Sequence, residues 1–379
     1  MDKVDFYRHA LQEEDVEAVA EVLHSIFLTT GPKTAAFEKA MAEFLSVRHV
    51  IGLTSCTTAL FLCLKALDIG EGDEVITTPM TFIATANAIL HAGATPVFVD
   101  VEPDTGNLDV ERIEAAVTPR TRAVMPVHLY GSMVDMARLS ELCRRRGLRL
   151  IEDAAHATEA ERDGIRPGQK SDAACLSFYA TKNLTCGEGG AVAVNDEAVA
   201  EKLGWLRLHG MTKSAADRYH GKYVHWDMVG LGYKANMPDI LAALLLGQLP
   251  RLERQLERRE AIARRYEDGF ADFPAIRYPR VPAGARGARH LFTIWVSPER
   301  RDEILWRLQD RGIGVAVNYR AIHLLTYYSQ RFGFRRGAFP VAERIGDSTL
   351  TLPLYPGLPD EAVDTVIRAV REVAGQDPR

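Results

Sequence analysis

A lysine and an aspartate near the middle of the chain are the residues whose types and spacing invite chemistry. Lys182 lies within S-F-Y-A-T-K-N-L-T-C-G-E-G-G (177–190), just past the apolar stretch Ala173 to Phe178, which is interrupted only by Ser177. Such a run reads as a buried strand of a parallel sheet that ends before the lysine. A primary amine held against a core has a lowered pKa and becomes nucleophilic towards carbonyls. A solvated loop lysine is the plainer reading, and Asp153 shifts the balance away from it. Asp153 closes L-R-L-I-E-D (148–153), a second short apolar run with its carboxylate at the carboxyl end, 29 residues before Lys182. Ligands of open parallel sheets sit just outside those strand ends. The spacing leaves room for one connection and one more strand, so both side chains can reach one crevice. A lysine that forms a Schiff base and an aspartate that keeps a ring nitrogen protonated are the two groups that pyridoxal phosphate requires. For Asp153 alone a helix cap is the competing reading, since A-A-H-A follows and can open a helix.

The elements that must position this pair follow from hydrophobic periodicity. Residues 12–26 repeat apolar positions at three and four, which predicts an amphipathic helix; L-T-T-G-P (28–32) breaks it, and a second helix starts near Lys33. His49 to Leu53 reads as a strand, followed by a helix opening at T-S-C-T-T-A-L and running to about Leu67. Further strands at Glu74 to Thr78, Pro96 to Asp100 and Arg122 to Val127 alternate with helices near 108–117 and 134–146. This order, with crossovers of about a dozen residues or more, predicts an α/β fold with a doubly wound, mostly parallel sheet. After P-R-V-P-A-G-A-R-G-A (279–288) the pattern becomes strand (291–296), helix (302–311), strand (315–318) and a final helix (360–373), a smaller C-terminal α/β domain. The expected division is a large domain at 1–250 and a small one at 251–379, bridged by the arginine-rich segment Leu249 to Tyr266.

Other residues bear on a phosphate and a ring. Ser55, Thr57 and Thr58 fall in the first turn of the helix after the first strand, where unpaired N–H groups and hydroxyls suit a phosphate; capping alone also explains them. Phe82 reads as core from its apolar surroundings. G-E-G-G (187–190) lacks the spacing of a nucleotide fingerprint and precedes a strand, so its glycines are expected to let the chain turn tightly beside a bound ring. The polar and aromatic stretch from Thr212 to Gly232, with Tyr219, His220, Tyr223, His225 and Trp226, has no period and reads as a long ordered loop.

Composition excludes several classes. With 379 residues, 47% hydrophobic, the chain can bury a large core. A net charge of −5 with no basic block argues against nucleic acid as a partner. Five scattered cysteines without a C-x-x-C pair are expected to be reduced core thiols of a cytoplasmic protein, and eleven histidines without ligand spacing argue against a metal. M-D-K-V-D-F-Y-R-H lacks the features of a signal peptide, and the longest apolar run, Leu241 to Leu246, is too short for a membrane span.

E-D-A-A-H-A (152–157) together with S-F-Y-A-T-K-N-L-T-C-G-E-G-G resembles the sugar-nucleotide aminotransferase family, the DegT or StrS family, of fold-type-I pyridoxal-phosphate enzymes. The resemblance covers nearly the whole chain, and within the family it is nearest to the enzymes that aminate a 4-keto pentose for lipid A modification. It implies that Lys182 and Asp153 are catalytic, with His156 packing on the cofactor ring or bonding its phenolic oxygen. It places the phosphate on Ser55, Cys56 and Thr57, Cys56 standing where the family commonly has glycine, and on Ser177. It stacks Phe82 on the pyridine ring. It also implies a homodimer in which Asn236, with Lys234 beside it, reaches the partner's cofactor phosphate, although Ala235 replaces a common aromatic there. The T-T-G-P loop then lines a substrate pocket, L-glutamate is the amino donor and a keto sugar nucleotide the acceptor. His290, Tyr319 and His323 fall where the family has residues near the mouth of the site. Two other readings share the motifs: a lyase or dehydratase of the same fold, and a non-catalytic homologue. Sugar dehydratases resembling the family replace the lysine by histidine, and a protein without the chemistry is expected to have lost Asp153, Ser177 or Lys182. All three are present.

Overall fold

Two helices precede the sheet, α1 (Glu13–Leu23) and α2 (Pro32–Leu45). Pro32 stands at the first position of α2, where its missing N–H costs nothing. The N–H groups of Gly31, Lys33 and Thr34 are held by the carboxylate of Asp239, so the start of α2 is tied to residues two hundred positions away. The computed structural model describes residues 3–213 and 225–376. Tyr219, His220 and Tyr223 of the aromatic loop lie outside the described residues.

Strands and helices then alternate: β1 (His49–Leu53), α3 (Cys56–Ala66), β2 (Glu74–Thr77), α4 (Ala84–His91), β3 (Thr95–Phe98), α5 (Val110–Ala116), β4 (Thr121–Val124), α6 (Met136–Arg146) and β5 (Arg149–Asp153). After the two-residue β6 (Glu161–Arg162) come β7 (Ala173–Ser177), β8 (Gly190–Val194), α7 (Glu197–Leu206), α8 (Asp239–Gln248) and α9 (Leu252–Phe270). The remainder is β9 (Ala285–Arg286), β10 (Phe292–Trp295), α10 (Arg301–Asp310), α11 (Thr326–Phe332), α12 (Pro340–Ser348), β11 (Thr349–Leu352) and α13 (Asp360–Ala374).

Seven strands form the central sheet in the order β1-β8-β7-β5-β4-β2-β3, with β8 alone running against the rest. Its strands are apolar almost throughout because both faces are covered. Successive residues serve opposite faces, so Leu176, Ile76 and Ala193 join Phe37, Met41 and Leu139 on one side, while Cys175, Val75 and Val192 join Leu60, Leu62 and Ile89 on the other. All five cysteines are free and buried.

A third cluster gathers Ile262, Tyr266 and Phe270 of α9, Phe292 and Ile294 of β10, Leu350 and Leu352 of β11, and the valine stripe Val363, Val366, Val370 and Val373 of α13. α9 also buries Leu252 with the first cluster, so it spans both packing regions. The strand expected at 315–318 is reduced to a single bridge between Ala316 and Thr351. The preceding residues pair with the N-terminus instead: Val4 donates to the carbonyl of Gly312 and Gly314 donates to that of Val4. A side chain at Gly314 would strike Phe6, so glycine is what allows the approach. The first residues therefore pack with the C-terminal elements. Among the described residues no helix is long and apolar enough to cross a membrane.

Candidate active site

Sheet register brings the two chemical groups together. Asp153, the last residue of β5, pairs with Cys175 on β7, and Ser177 ends β7 two residues later. The chain then turns, with the N–H of Lys182 donating to the carbonyl of Tyr179, so the lysine stands over the carboxyl ends of β5 and β7. Leu53 and Ser177 both pair with Gly190, from opposite sides of β8, which sets the start of α3 beside the same edge. A cavity of about 530 Å³ opens there and is lined by Ser55, Cys56, Thr57, Phe82, Asp153, His156, Ser177 and Lys182, with His290 and Tyr319 from the C-terminal part. That volume lies within the roughly 300–1,000 Å³ of small-molecule sites.

Asp153 is 5% exposed, and each carboxylate oxygen is held once: Oδ2 accepts from the Thr85 hydroxyl at 2.7 Å and Oδ1 from the N–H of Ala155 at 3.2 Å. Burial pushes its carboxyl above the usual range, and the bonds from Thr85 and Ala155 oppose this. No helix begins after it. A-A-H-A forms a tight turn in which Ala157 donates to Ala154, and the capping reading of Asp153 is thereby corrected: the carboxylate caps a turn and faces the cavity. Burial pushes the Lys182 amine down to about 8, while Cys56 and Asp153 pull the other way. A buried carboxyl and amine moved towards each other's range in this manner are the mark of acid–base chemistry.

Ser55 is both cap and cavity wall. Its Oγ accepts from the N–H of Thr58 at 3.1 Å and lies 2.9 Å from the Thr58 hydroxyl. Cys56 packs in the core cluster with Cys63 and Cys175, and burial keeps it a thiol. Thr57 is exposed to the cavity. Phe82 is 53% exposed ahead of α4, so the reading of it as core is wrong; its ring stands at the cavity, 5.7 Å from that of Tyr319. The glycines of G-E-G-G divide their work. Gly187 adopts a positive φ of 85° in the turn, whereas a side chain on Gly190 would land on the Ser55–Cys56 backbone. Tight turning beside a ring was expected of the whole motif; close approach of β8 to the start of α3 is the larger constraint.

His156 is buried, with Nε2 at 3.1 Å from the Tyr319 hydroxyl and Nδ1 without a protein partner. Burial, then Lys182, pushes its pKa well down. Asn236 does not line the cavity. Its Nδ2 donates to the hydroxyl of Thr30 at 2.6 Å and contacts that of Thr29 at 3.3 Å, while Lys234 donates to its oxygen, so Asn236 and the T-T-G-P loop form one cluster beside β1. His323 is also elsewhere, buried against Glu343 at 3.0 Å. Thr85, His290 and Tyr319 are the site residues that sequence reasoning left out. For His290 and Tyr319 the signal was their place at strand ends where the family resemblance puts residues near the mouth of the site; Thr85 had none.

An amine, a desolvated carboxylate, hydroxyls at a helix start, an exposed aromatic ring and an imidazole nitrogen lacking a partner are the groups that a phosphorylated, ring-bearing aldehyde needs. The residues present fit pyridoxal phosphate. Among the described residues no cluster of side chains could hold a metal ion.

Comparison with known proteins agrees with this fit. Residues 9–371 match the model of the DegT/DnrJ/EryC1/StrS aminotransferase family. The chain is 45% identical over 368 residues to the spore coat polysaccharide biosynthesis protein SpsC of Bacillus subtilis, covering 95% of this chain and 94% of that one. Among solved structures, DesV of S. venezuelae is 37% identical with a TM-score of 0.92 over the whole of both chains. Spr1654 of Streptococcus pneumoniae in its PMP form is 33% identical, TM-score 0.92, covering 98% of this chain and 99% of that one.

Proposed function

This chain belongs to the DegT/DnrJ/EryC1/StrS aminotransferase family and is a pyridoxal-phosphate-dependent sugar aminotransferase, and we propose that it transfers the amino group of L-glutamate to a keto sugar nucleotide with the ketone at C4. The observation that carries the reading is the strand-end juxtaposition of the Lys182 amine with the buried Asp153 carboxylate in one cavity. SpsC supports the sugar by its part in polysaccharide biosynthesis, since polysaccharides are built from activated sugars. The choice of C4 rests on the resemblance of the motifs around Asp153 and Lys182.

Bound pyridoxal phosphate supplies an electron sink for the carbon that carries the amino group. The chain supplies the rest. Lys182 would hold the cofactor and, once freed by the amino donor, would take the proton from that carbon and deliver it to the cofactor's C4′; a base with a pKa near the working pH is well matched to the task. Asp153, fixed by Thr85 and the N–H of Ala155, keeps the proton on the ring nitrogen. Ser55, Cys56 and Thr57 at the start of α3, with Ser177, hold the phosphate through hydroxyls and unpaired N–H groups. Phe82 and His156 flank the ring. The working unit is a homodimer of the cytoplasm in which Asn236 completes the neighbour's phosphate site. Ile26, 69% exposed, and Leu231, 77% exposed, lie in the two segments that flank the Asn236 cluster, which suits a second copy covering them. The test is a panel of 3-keto and 4-keto sugar nucleotides incubated with glutamate, with product regiochemistry read by NMR. Turnover of 3-keto substrates alone would remove the C4 assignment, and turnover of free ketones alone would remove the nucleotide.

A further inference from the structure

The free amine of Lys182 meets a histidine. Its Nζ lies 3.3 Å from Nε2 of His290, and Nδ1 of that ring lies 3.3 Å from Oδ1 of Asn183. The Asn183 amide cannot turn over. Its Nδ2 donates to Oε1 of Glu159 at 2.7 Å and to the carbonyl of Ala288 at 2.9 Å, and that carbonyl can only accept. Oδ1 therefore faces the ring, Nδ1 carries the imidazole proton, and Nε2 is left as a bare acceptor aimed at the lysine. Glu159 is itself paired with Arg259 of α9, both side chains 1% exposed. The line Arg259–Glu159–Asn183–His290 thus fixes one lone pair against Lys182 from a buried ion pair.

We infer that His290 is a positioning residue whose Nε2 accepts a hydrogen bond from the free amine of Lys182 and turns the amine's own lone pair towards the cavity. A lysine side chain has four rotatable bonds, and an amine released from the cofactor without a fixed acceptor samples many orientations. Holding it oriented converts that search into a prepaid geometry. The groups facing the amine are Cys56 from α3, Asp153 from β5, His156 from the following turn and His290. Burial keeps Cys56 a thiol, and burial with the nearby lysine keeps both histidines neutral, as an acceptor requires. The rings of His156 and His290 pack with centroids 4.5 Å apart, which holds the acceptor in place from the other side.

The inference rests on Lys182 as the cofactor-holding residue, and the experiment separates the two. Cofactor-free protein is mixed with pyridoxal phosphate, and the appearance of Schiff-base absorbance is timed across pH for the wild type, His290→Phe and His290→Gln. Below the lysine's pKa the amine is protonated and does not attack, so the wild-type rate rises through a midpoint near 8 to a plateau. His290→Phe keeps the ring volume and removes both nitrogens. Its plateau is expected to fall about tenfold from lost orientation, with the midpoint lower by about one unit because the ammonium form loses its acceptor. In His290→Gln the side-chain oxygen reaches the Nε2 position and restores the plateau to within about threefold. A His290→Phe protein with the wild-type plateau and midpoint overturns the inference, and so does a His290→Gln protein as slow as His290→Phe. Should His290→Phe fail to fold, ¹⁵N NMR of the wild-type cofactor-free protein decides: a proton on Nδ1 of His290 supports the inference and one on Nε2 overturns it. If the wild type forms no Schiff base at Lys182, the assignment of Lys182 fails instead.

Discussion

Replacing Asp153 by Asn isolates the charge that the reaction is asked to use. The carboxylate is 5% exposed and held by Thr85 and the Ala155 N–H. An amide of the same shape retains both contacts, because the Thr85 hydroxyl can turn to accept from the new NH₂. What is lost is the negative charge proposed to face the ring nitrogen. At a separation of about 4 Å and an effective dielectric near 20, that charge is worth roughly 4 kcal/mol. Expressed mainly in the transition state, this corresponds to about two to three decades of rate. The assay is a single turnover of cofactor-loaded Asp153→Asn with amino donor, followed by loss of the Schiff-base absorbance. Stability moves the opposite way. Burial raises the carboxyl pKa above its unfolded value, so ionisation costs the folded state progressively as pH rises between the two values, and the cost is complete above the folded pKa. The cofactor-free variant is therefore expected to melt higher than the wild type at neutral pH. A single-turnover rate within a factor of a few of wild type would refute the ring-nitrogen role, whatever the melting temperature.

Gly190→Ala places a methyl group on the Ser55–Cys56 backbone, so denaturant titration should show a loss of about 1–3 kcal/mol, accompanied by weaker cofactor retention on dialysis. An unchanged midpoint and retention would mean that β8 does not constrain the start of α3. Arg259→Leu leaves Glu159 buried without its partner and should cost about 3–5 kcal/mol, measured in the same way; a loss below 1 kcal/mol would contradict the buried pair. Mixing inactive Lys182→Ala with an inactive Asn236→Ala protein should restore part of the activity, because a mixed dimer regains one intact site. Absence of recovery despite demonstrated subunit exchange would place Asn236 in its own chain's site or in none.

Much of the site was legible because strand ends are legible. The apolar runs before Asp153 and after Ala173 marked β5 and β7, and parallel-sheet topology then required both carboxyl ends to open on one crevice. Ser55 and Thr57 followed from the helix start in the same way, although sequence alone could not separate capping from ligand binding, and Ser55 caps while it faces the cavity. The core reading of Phe82 failed because its neighbours are apolar; burial depends on which side of the chain faces the cavity, and no period reports that, so only the resemblance pointed to the site. His290 and Tyr319 arrive at the site only through the packing of the C-terminal elements over the sheet, and Thr85 through the docking of α4. The strand expected at 315–318 failed because Gly312 and Gly314 flank a segment whose partner is the N-terminus, a pairing of distant residues that local pattern cannot encode.

The central claim is that Lys182 holds the cofactor covalently, and borohydride reduction tests it most directly. Purified protein should be yellow, and reduction followed by proteolysis and mass mapping should find one pyridoxyl-modified peptide, containing Lys182. A label on another lysine, or none on protein saturated with cofactor, would contradict the account.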